Sequence, residues 1–174
     1  MNIIVLCGVN GSGKTTYYKD YLKKHKGTLG YSFDDINHII CGHTYWTKHS
    51  CNYLYNLFKV LLKYCAQNNI DLIIDNLNQN NYFKEDIRKY YKNKLMIYKK
   101  IYNIDITIKY VILYQPYTYL KSINNIRKYT DKDRYTDESI LLNYYNILNY
   151  FIEQHKLKLD SKDKEQILYL DVEL

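Results

Sequence analysis

The stretch Ile3-Ile4-Val5-Leu6-Cys7-Gly8-Val9-Asn10-Gly11-Ser12-Gly13-Lys14-Thr15-Thr16 decides the fold. An apolar run leads into G-x-x-x-x-G-K-[ST], and a helix-compatible segment follows from Thr16 onward. In the order strand, glycine-rich turn, helix, backbone N–H groups and the positive end of a helix converge on an anion. Gly8, Gly11 and Gly13 permit the tight turn and the close approach of backbone to phosphate. The spacing assigns Lys14 as a point charge for the β- and γ-phosphates of a nucleotide and the Thr15 hydroxyl as a ligand of Mg2+. Asn10, Ser12 and Thr16 complete the nucleotide-binding set. A Lys-Thr pair at this offset serves no packing purpose, so a ligand-free structural turn is the weaker reading.

At 174 residues the chain reads as a single domain over 1–174, nearly all of it consumed by such a unit. The first strand follows Met1 directly, and no apolar run approaches the ~20 residues of a spanning helix. A cytoplasmic or nuclear protein is expected, neither secreted nor membrane-bound. Cys7, Cys41, Cys51 and Cys65 show no C-x-x-C spacing and read as reduced thiols. A net charge of +7 attracts polyanions. The 23 tyrosines, with frequent Asn, Ile and Lys, follow from AT-rich codons better than from a base-stacking surface.

Outward from the loop, the pattern predicts a helix over Lys14–Lys24 and a strand over Thr28–Phe33 that ends at Asp34-Asp35. An irregular segment spans Cys41–His49. Leu54, Leu57, Phe58, Leu61, Leu62 and Cys65 recur at helical spacing and predict a helix from Ser50 to Ala66. Asp71–Asp75 reads as a short buried strand, followed by polar residues and a helix reaching Tyr102. Thr107–Tyr114 is a further strand. Pro116 opens a helix to Arg127, the charged run Lys128–Tyr135 interrupts it, and Thr136 with Asp137 and Glu138 caps the next helix. Gln166–Val172 supplies a last strand. Alternating strands and helices imply a doubly wound parallel sheet of the P-loop NTPase type, with ligands at the carboxyl ends of the strands.

Transfer of phosphate to a hydroxyl needs a base for the acceptor, a metal held beside the phosphates and positive charge over the moving group. Asp34 is placed to accept the proton. Asp75 ends an apolar strand as a carboxylate that holds Mg2+ through water. Arg127 and Arg134 flank a Lys/Asp-rich loop able to close as an arginine-bearing lid.

On these residues the chain resembles the kinase domain of 5′-hydroxyl polynucleotide kinases, the bacteriophage repair enzyme and its eukaryotic and viral relatives. The elements are Gly8–Thr16, Ser32-Phe33-Asp34-Asp35-Ile36-Asn37, Asp75-Asn76-Leu77-Asn78, and the segment from Pro116-Tyr117-Thr118 to Arg127. The resemblance implies Asp34 as general base, Arg127 as the lid arginine on the nucleotide phosphates, Asp75 with Asn78 beside acceptor and metal, and Asn37 with Asp34, Asp75 and Asn78 as the acceptor-binding set. It implies ATP or GTP as donor, Mg2+ as cofactor, a 5′-OH end of RNA or DNA as acceptor, and work alongside a ligase or a 3′-phosphatase.

Two positions depart from that pattern. Asn37 stands where the family has an arginine that clamps an acceptor phosphate, so Lys48 or Arg88 is expected to substitute, and Asn78-Gln79-Asn80-Asn81 lacks the family's Asn-Pro. Asp131-Lys132-Asp133 has the letters of a phosphatase motif but sits in a polar loop rather than after an apolar strand. Cys41, His43, His49 and Cys51 offer zinc-type ligands at a spacing that matches no common site. Trp46 and Tyr45 read as packing residues before stacking platforms. A kinase of a small hydroxyl compound and an RNA-modification accessory ATPase are the alternatives. A GTPase switch is disfavoured, because Asn93-Lys94-Leu95-Met96 does not make N-K-x-D.

Overall fold

The computed structural model describes residues 1–42, 47–75, 85–160 and 164–173. Strands β1 (Asn2–Cys7), β2 (Leu29–Ser32), β3 (Leu72–Asp75), β4 (Thr107–Tyr114) and β5 (Gln166–Glu173) form one sheet in the order β2-β3-β1-β4-β5. β1 runs parallel to β3 and β4, and β2 parallel to β3. The helices are α1 (Lys14–Lys24), α2 (Phe33–Cys41), α3 (Lys48–Asn68), α4 (Glu85–Tyr102), α5 (Tyr117–Thr130) and α6 (Glu138–Gln154).

The expected parallel sheet holds for four strands, and β5 corrects the fifth by running antiparallel to β4. The contacts of α6 explain the reversal. That helix starts beside the carboxyl edge and descends the sheet, Tyr145 packing on Tyr114 and Phe151 on Tyr110. The chain re-enters the sheet at the carboxyl edge only after α6, where Gln166 pairs with Tyr114.

Side chains of period 2 sort onto the two faces of the sheet. Ile3, Val5, Leu72, Ile74, Tyr110 and Ile112 point to one face, against Leu54, Phe58, Leu62 and Cys65 of α3 and Leu141, Leu148 and Phe151 of α6. Ile4, Leu6, Ile73, Val111 and Leu113 point to the other and meet Tyr18 of α1. The α3 contacts fall at helical spacing, which is why that face buries. Tyr31 carries a polar tip into the larger cluster, where its hydroxyl donates to the Leu54 carbonyl at 2.6 Å. All four cysteines carry free thiols. Among the described residues, no helix is long and apolar enough to cross a membrane.

Three boundaries differ from the sequence reading in ways that matter for function. Asp34 and Asp35 lie in the first turn of α2 rather than at a strand end, because the Ser32 hydroxyl caps that helix by accepting from the Asp35 N–H at 3.3 Å. α5 continues to Thr130, so Arg127 sits inside a helix instead of at the edge of a loop. The cap of α6 is Asp137, which accepts from the Ser139 N–H at 2.9 Å, and Thr136 is left for other partners.

Gly30 on β2 is set by close approach. A methyl group there would collide with the Tyr18 hydroxyl and come within 2.7 Å of Leu22 Cδ1. Tyr18 is buried against the sheet, so its ring must shift within packed surroundings to make room. Gly30→Ala is expected to cost about 1–3 kcal/mol, the range for overpacking a filled core, read as a fall in the urea midpoint at unchanged slope. An unshifted midpoint would show that Tyr18 moves freely.

Candidate functional site

β1, β2 and β3 are parallel neighbours, so their carboxyl ends open onto one edge. Val5 pairs with Ile74, and Ser32 pairs with Asp75. The P-loop, the start of α2 and Asp75 therefore meet at one place.

The loop ends on Gly13, which caps α1 with φ 93°, a left-handed conformation open to glycine. No side chain caps α1 and its first turn holds no acidic residue, so its amides are left to an anion. Lys14 is buried, and its Nζ donates to the carbonyls of Gly8 at 2.8 Å and Val9 at 3.1 Å. Burial pulls its ammonium below the usual lysine range, Asp75 and Asp34 act to raise it, and Arg127 adds to the lowering. Ser12 Oγ is buried without a hydrogen-bond partner among the described residues. A cationic nitrogen, an unsatisfied hydroxyl and a helix start around one turn fit a phosphate chain.

Asp75 is buried at the end of β3 and accepts a hydrogen bond from the Thr15 side chain. Burial raises its carboxyl, Lys14 and the Thr15 hydroxyl work to lower it, and Asp34 and Asp35 raise it again. A hydroxyl and a carboxylate side by side form a hard oxygen donor set of the kind Mg2+ takes. Asp34 is exposed at the mouth, whereas Asp35 is half-buried. Asp35 and Asp75 act on the Tyr18 phenol, whose pKa burial in the first place pushes up to about 12.

Arg127 reaches the loop from the opposite side. Its Nη1 lies 3.8 Å from where a side chain on Gly11 would begin, and Ile123 Cγ2, one turn earlier, lies 3.4 Å from the same point. Burial lowers the pKa of its guanidinium, Arg134 lowers it further, and Asp131 opposes both. Arg134, in the 3-10 turn Lys132–Arg134, pairs with Asp131 at 3.6 Å. Lys14, Thr15, Asp75, Asp34 and Arg127, gathered from four separate elements, thus share one cleft, with Arg134 at its rim.

Some sequence-derived assignments do not carry through. Asn37 is completely buried, so its amide belongs to the packing of α2 and not to a surface that an acceptor can touch. Asn10 directs its amide to Thr136, with Nδ2 donating to Oγ1 at 2.6 Å. Asn78, His43, Tyr45 and Trp46 lie outside the described residues, as do the side chains of Lys48, His49 and Arg88, so the zinc-type ligand set and the substitutes for the clamp arginine fall there too. Among the described residues no three His, Cys, Asp or Glu side chains gather as metal ligands. Asn124 escaped the sequence reading, and Thr136 was read there only as a helix cap. The signal available was an Asn in the interior of a helix, three residues before Arg127, where its propensity is poor.

Neither a family profile nor a curated protein sequence matches the chain. Solved structures do match. A chain of the Pnkp1/Rnl/Hen1 RNA repair complex aligns with a TM-score of 0.68 at 16% identity, over 88% of this chain and 45% of that one. This protein shares its fold. A second structure of the Pnkp1/Rnl/Hen1 complex gives 0.53 at 17% identity, over 70% of this chain and 38% of the other. A candidate kinase from Chloroflexus aurantiacus gives 0.58 at 14% identity, over 84% of this chain and 77% of the other. The protein spans less than half the length of the repair-complex chains.

Proposed function

We propose that this protein is a kinase that transfers the γ-phosphate of ATP or GTP to the 5′-hydroxyl end of RNA or DNA. The observation that carries the reading is the meeting of Lys14, Thr15 with Asp75, Asp34 and Arg127 around one phosphate-binding loop. In the reaction the acceptor oxygen bonds to the γ-phosphorus, the bond from that phosphorus to the β-bridging oxygen breaks, and ADP or GDP leaves. Asp34 takes the proton of the acceptor hydroxyl. Lys14 and Arg127 offset the charge that spreads over the transferring group, and Arg134 lends a second guanidinium from the lid. Thr15, and Asp75 through water, would hold Mg2+, which when bound neutralises phosphate charge. Asn78, three residues after Asp75 in the Asp-Asn-x-Asn element, is assigned to the acceptor side.

A nucleic acid acceptor is supported by the net charge of +7 and by the fold shared with chains of an RNA repair complex. A protein of this kind works in concert with end-sealing or end-trimming partners such as a ligase or a 3′-phosphatase.

The deciding experiment offers γ-labelled ATP and GTP with Mg2+ to 5′-OH RNA and DNA oligonucleotides, with Lys14→Ala as control. Label is expected on at least one oligonucleotide and absent with the control. Label only on a small hydroxyl compound would replace the acceptor class, and free phosphate with no labelled acceptor would replace transfer by hydrolysis.

A further inference from the structure

Asn124 is buried in the interior of α5, and its amide closes a two-way contact with a single residue of the chain. Its Nδ2 donates to the Thr136 carbonyl at 2.7 Å, and its Oδ1 accepts from the Thr136 N–H at 3.0 Å. The Thr136 hydroxyl, which the cap of α6 does not use, accepts from Asn10 Nδ2 of the P-loop at 2.6 Å. Three segments distant in sequence are thereby fastened at one point.

Everything between the fastened ends carries the lid. Arg127 stands three residues beyond Asn124, with its guanidinium over Gly11. The turn that follows is closed on itself, the Asp131 N–H donating to the Arg127 carbonyl at 2.9 Å and the Arg134 N–H to the Asp131 carbonyl at 3.1 Å. A small excursion of this hairpin therefore moves both arginines together. Its two ends are clasped by a pair of hydrogen bonds, while among the described residues one side-chain hydrogen bond, from Asn10, ties the hairpin to the P-loop.

We propose that Asn10, Thr136 and Asn124 form a latch that positions Arg127 over the phosphate-binding loop, a role that rests on the kinase reading of this site. Asn10 acts through Thr136, and its amide serves to hold the lid rather than to touch phosphate. The bond from Asn10 to Thr136 is the separable one: breaking it frees the hairpin from the loop while the Asn124 clasp keeps the hairpin intact.

Thr136→Val removes the hydroxyl at nearly constant volume and leaves both backbone contacts of Asn124. Misplacement of a charged group over the transferring phosphate is expected to lower kcat/KM about tenfold. The same substitution in an Arg127→Ala background is expected to change nothing further, because coupled residues fail to add. Thr136→Ser is expected to restore the rate, and Thr136→Ala, which adds no bulk, to behave as Val does. Amide hydrogen exchange of residues 127–137, which needs no catalysis, is expected to speed up in the Val and Ala variants and not in Ser. Equal losses with and without Arg127, or unaltered exchange in both hydroxyl-free variants, would overturn the latch. If the wild-type protein phosphorylates no acceptor, the kinase reading fails by itself, and the exchange comparison alone decides the latch.

Discussion

Asp34→Ala is expected to lower phosphate transfer by about 10²–10⁴-fold, the usual contribution of a positioned general base, while nucleotide affinity survives. The two halves of this expectation have separate causes. Asp34 is exposed in the first turn of α2, two residues after Ser32, which pairs with Asp75, so an acceptor hydroxyl could reach it beside the proposed phosphate site. It makes no part of the P-loop. Its carboxylate also raises the pKa of Asp75, adding negative charge where a triphosphate must sit. Removing it eases the repulsion, so ATP is expected to bind at least as tightly as before. Labelled-phosphate kinetics and titration calorimetry on the same variant check both halves. Full transfer activity would remove Asp34 from the chemistry, and lost ATP binding would make it a nucleotide ligand. Asp35→Ala serves as the comparison, since Asp35 is half-buried beside Tyr18 and should cost transfer far less.

Lys14→Met is the second large effect, and it divides binding from stability. Loss of the ammonium from the loop is expected to weaken nucleotide binding by about 100-fold or more and transfer by about 10³-fold, the scale at which a missing charge-stabilising donor acts. Stability of the ligand-free protein should move little, because a buried cation is a poor contributor. The linkage has a definite sign. Burial holds the folded-state pKa of Lys14 below its ordinary 10.5, so between those two values the unfolded chain binds more protons than the folded one. The deficit is present in full below the folded pKa and is relieved as pH rises toward 10.5. Relative to Lys14→Met, the wild-type protein is therefore expected to gain stability from neutral to alkaline pH. Urea midpoints of both proteins across that range test it, and a wild-type midpoint that falls or stays flat relative to that of Lys14→Met would contradict the burial of a charged lysine. With saturating MgATP the wild type alone should melt later, since a ligand of the folded state stabilises by mass action.

The parts of this molecule legible in its sequence are those whose chemistry is local. The run from Ile3 to Thr16 dictates strand, loop and helix by residue type alone, and α1 falls where the pattern puts it. The place of Asp75 at the end of β3 was readable because the apolar run before it is bounded by polar residues. Features set by distant partners were not readable. The direction of β5 depends on the edge at which the chain re-enters the sheet after α6, and Asn37 is hidden by packing that no spacing announces. Thr136 looked like a helix cap because it precedes two acidic residues, yet Asp137 holds that position and the threonine answers to a loop 126 residues away. Asn10 reads as a phosphate neighbour by motif, and its side chain is engaged elsewhere. Short-range rules describe the glycine-rich loop and its helix, and long-range contacts arrange the segment that carries Arg127.

The posture of Lys14 has a thermodynamic consequence of its own. Its ammonium has already left water and rests on the carbonyl oxygens of Gly8 and Val9. An arriving triphosphate does not have to strip hydration from this cation; it exchanges one set of oxygens for another. The dehydration is built into the folded chain, at some expense to its stability, so the proposed nucleotide would meet a preorganised cation. Affinity here should depend less on how strongly the solvent competes for the lysine than on how readily two backbone carbonyls release it.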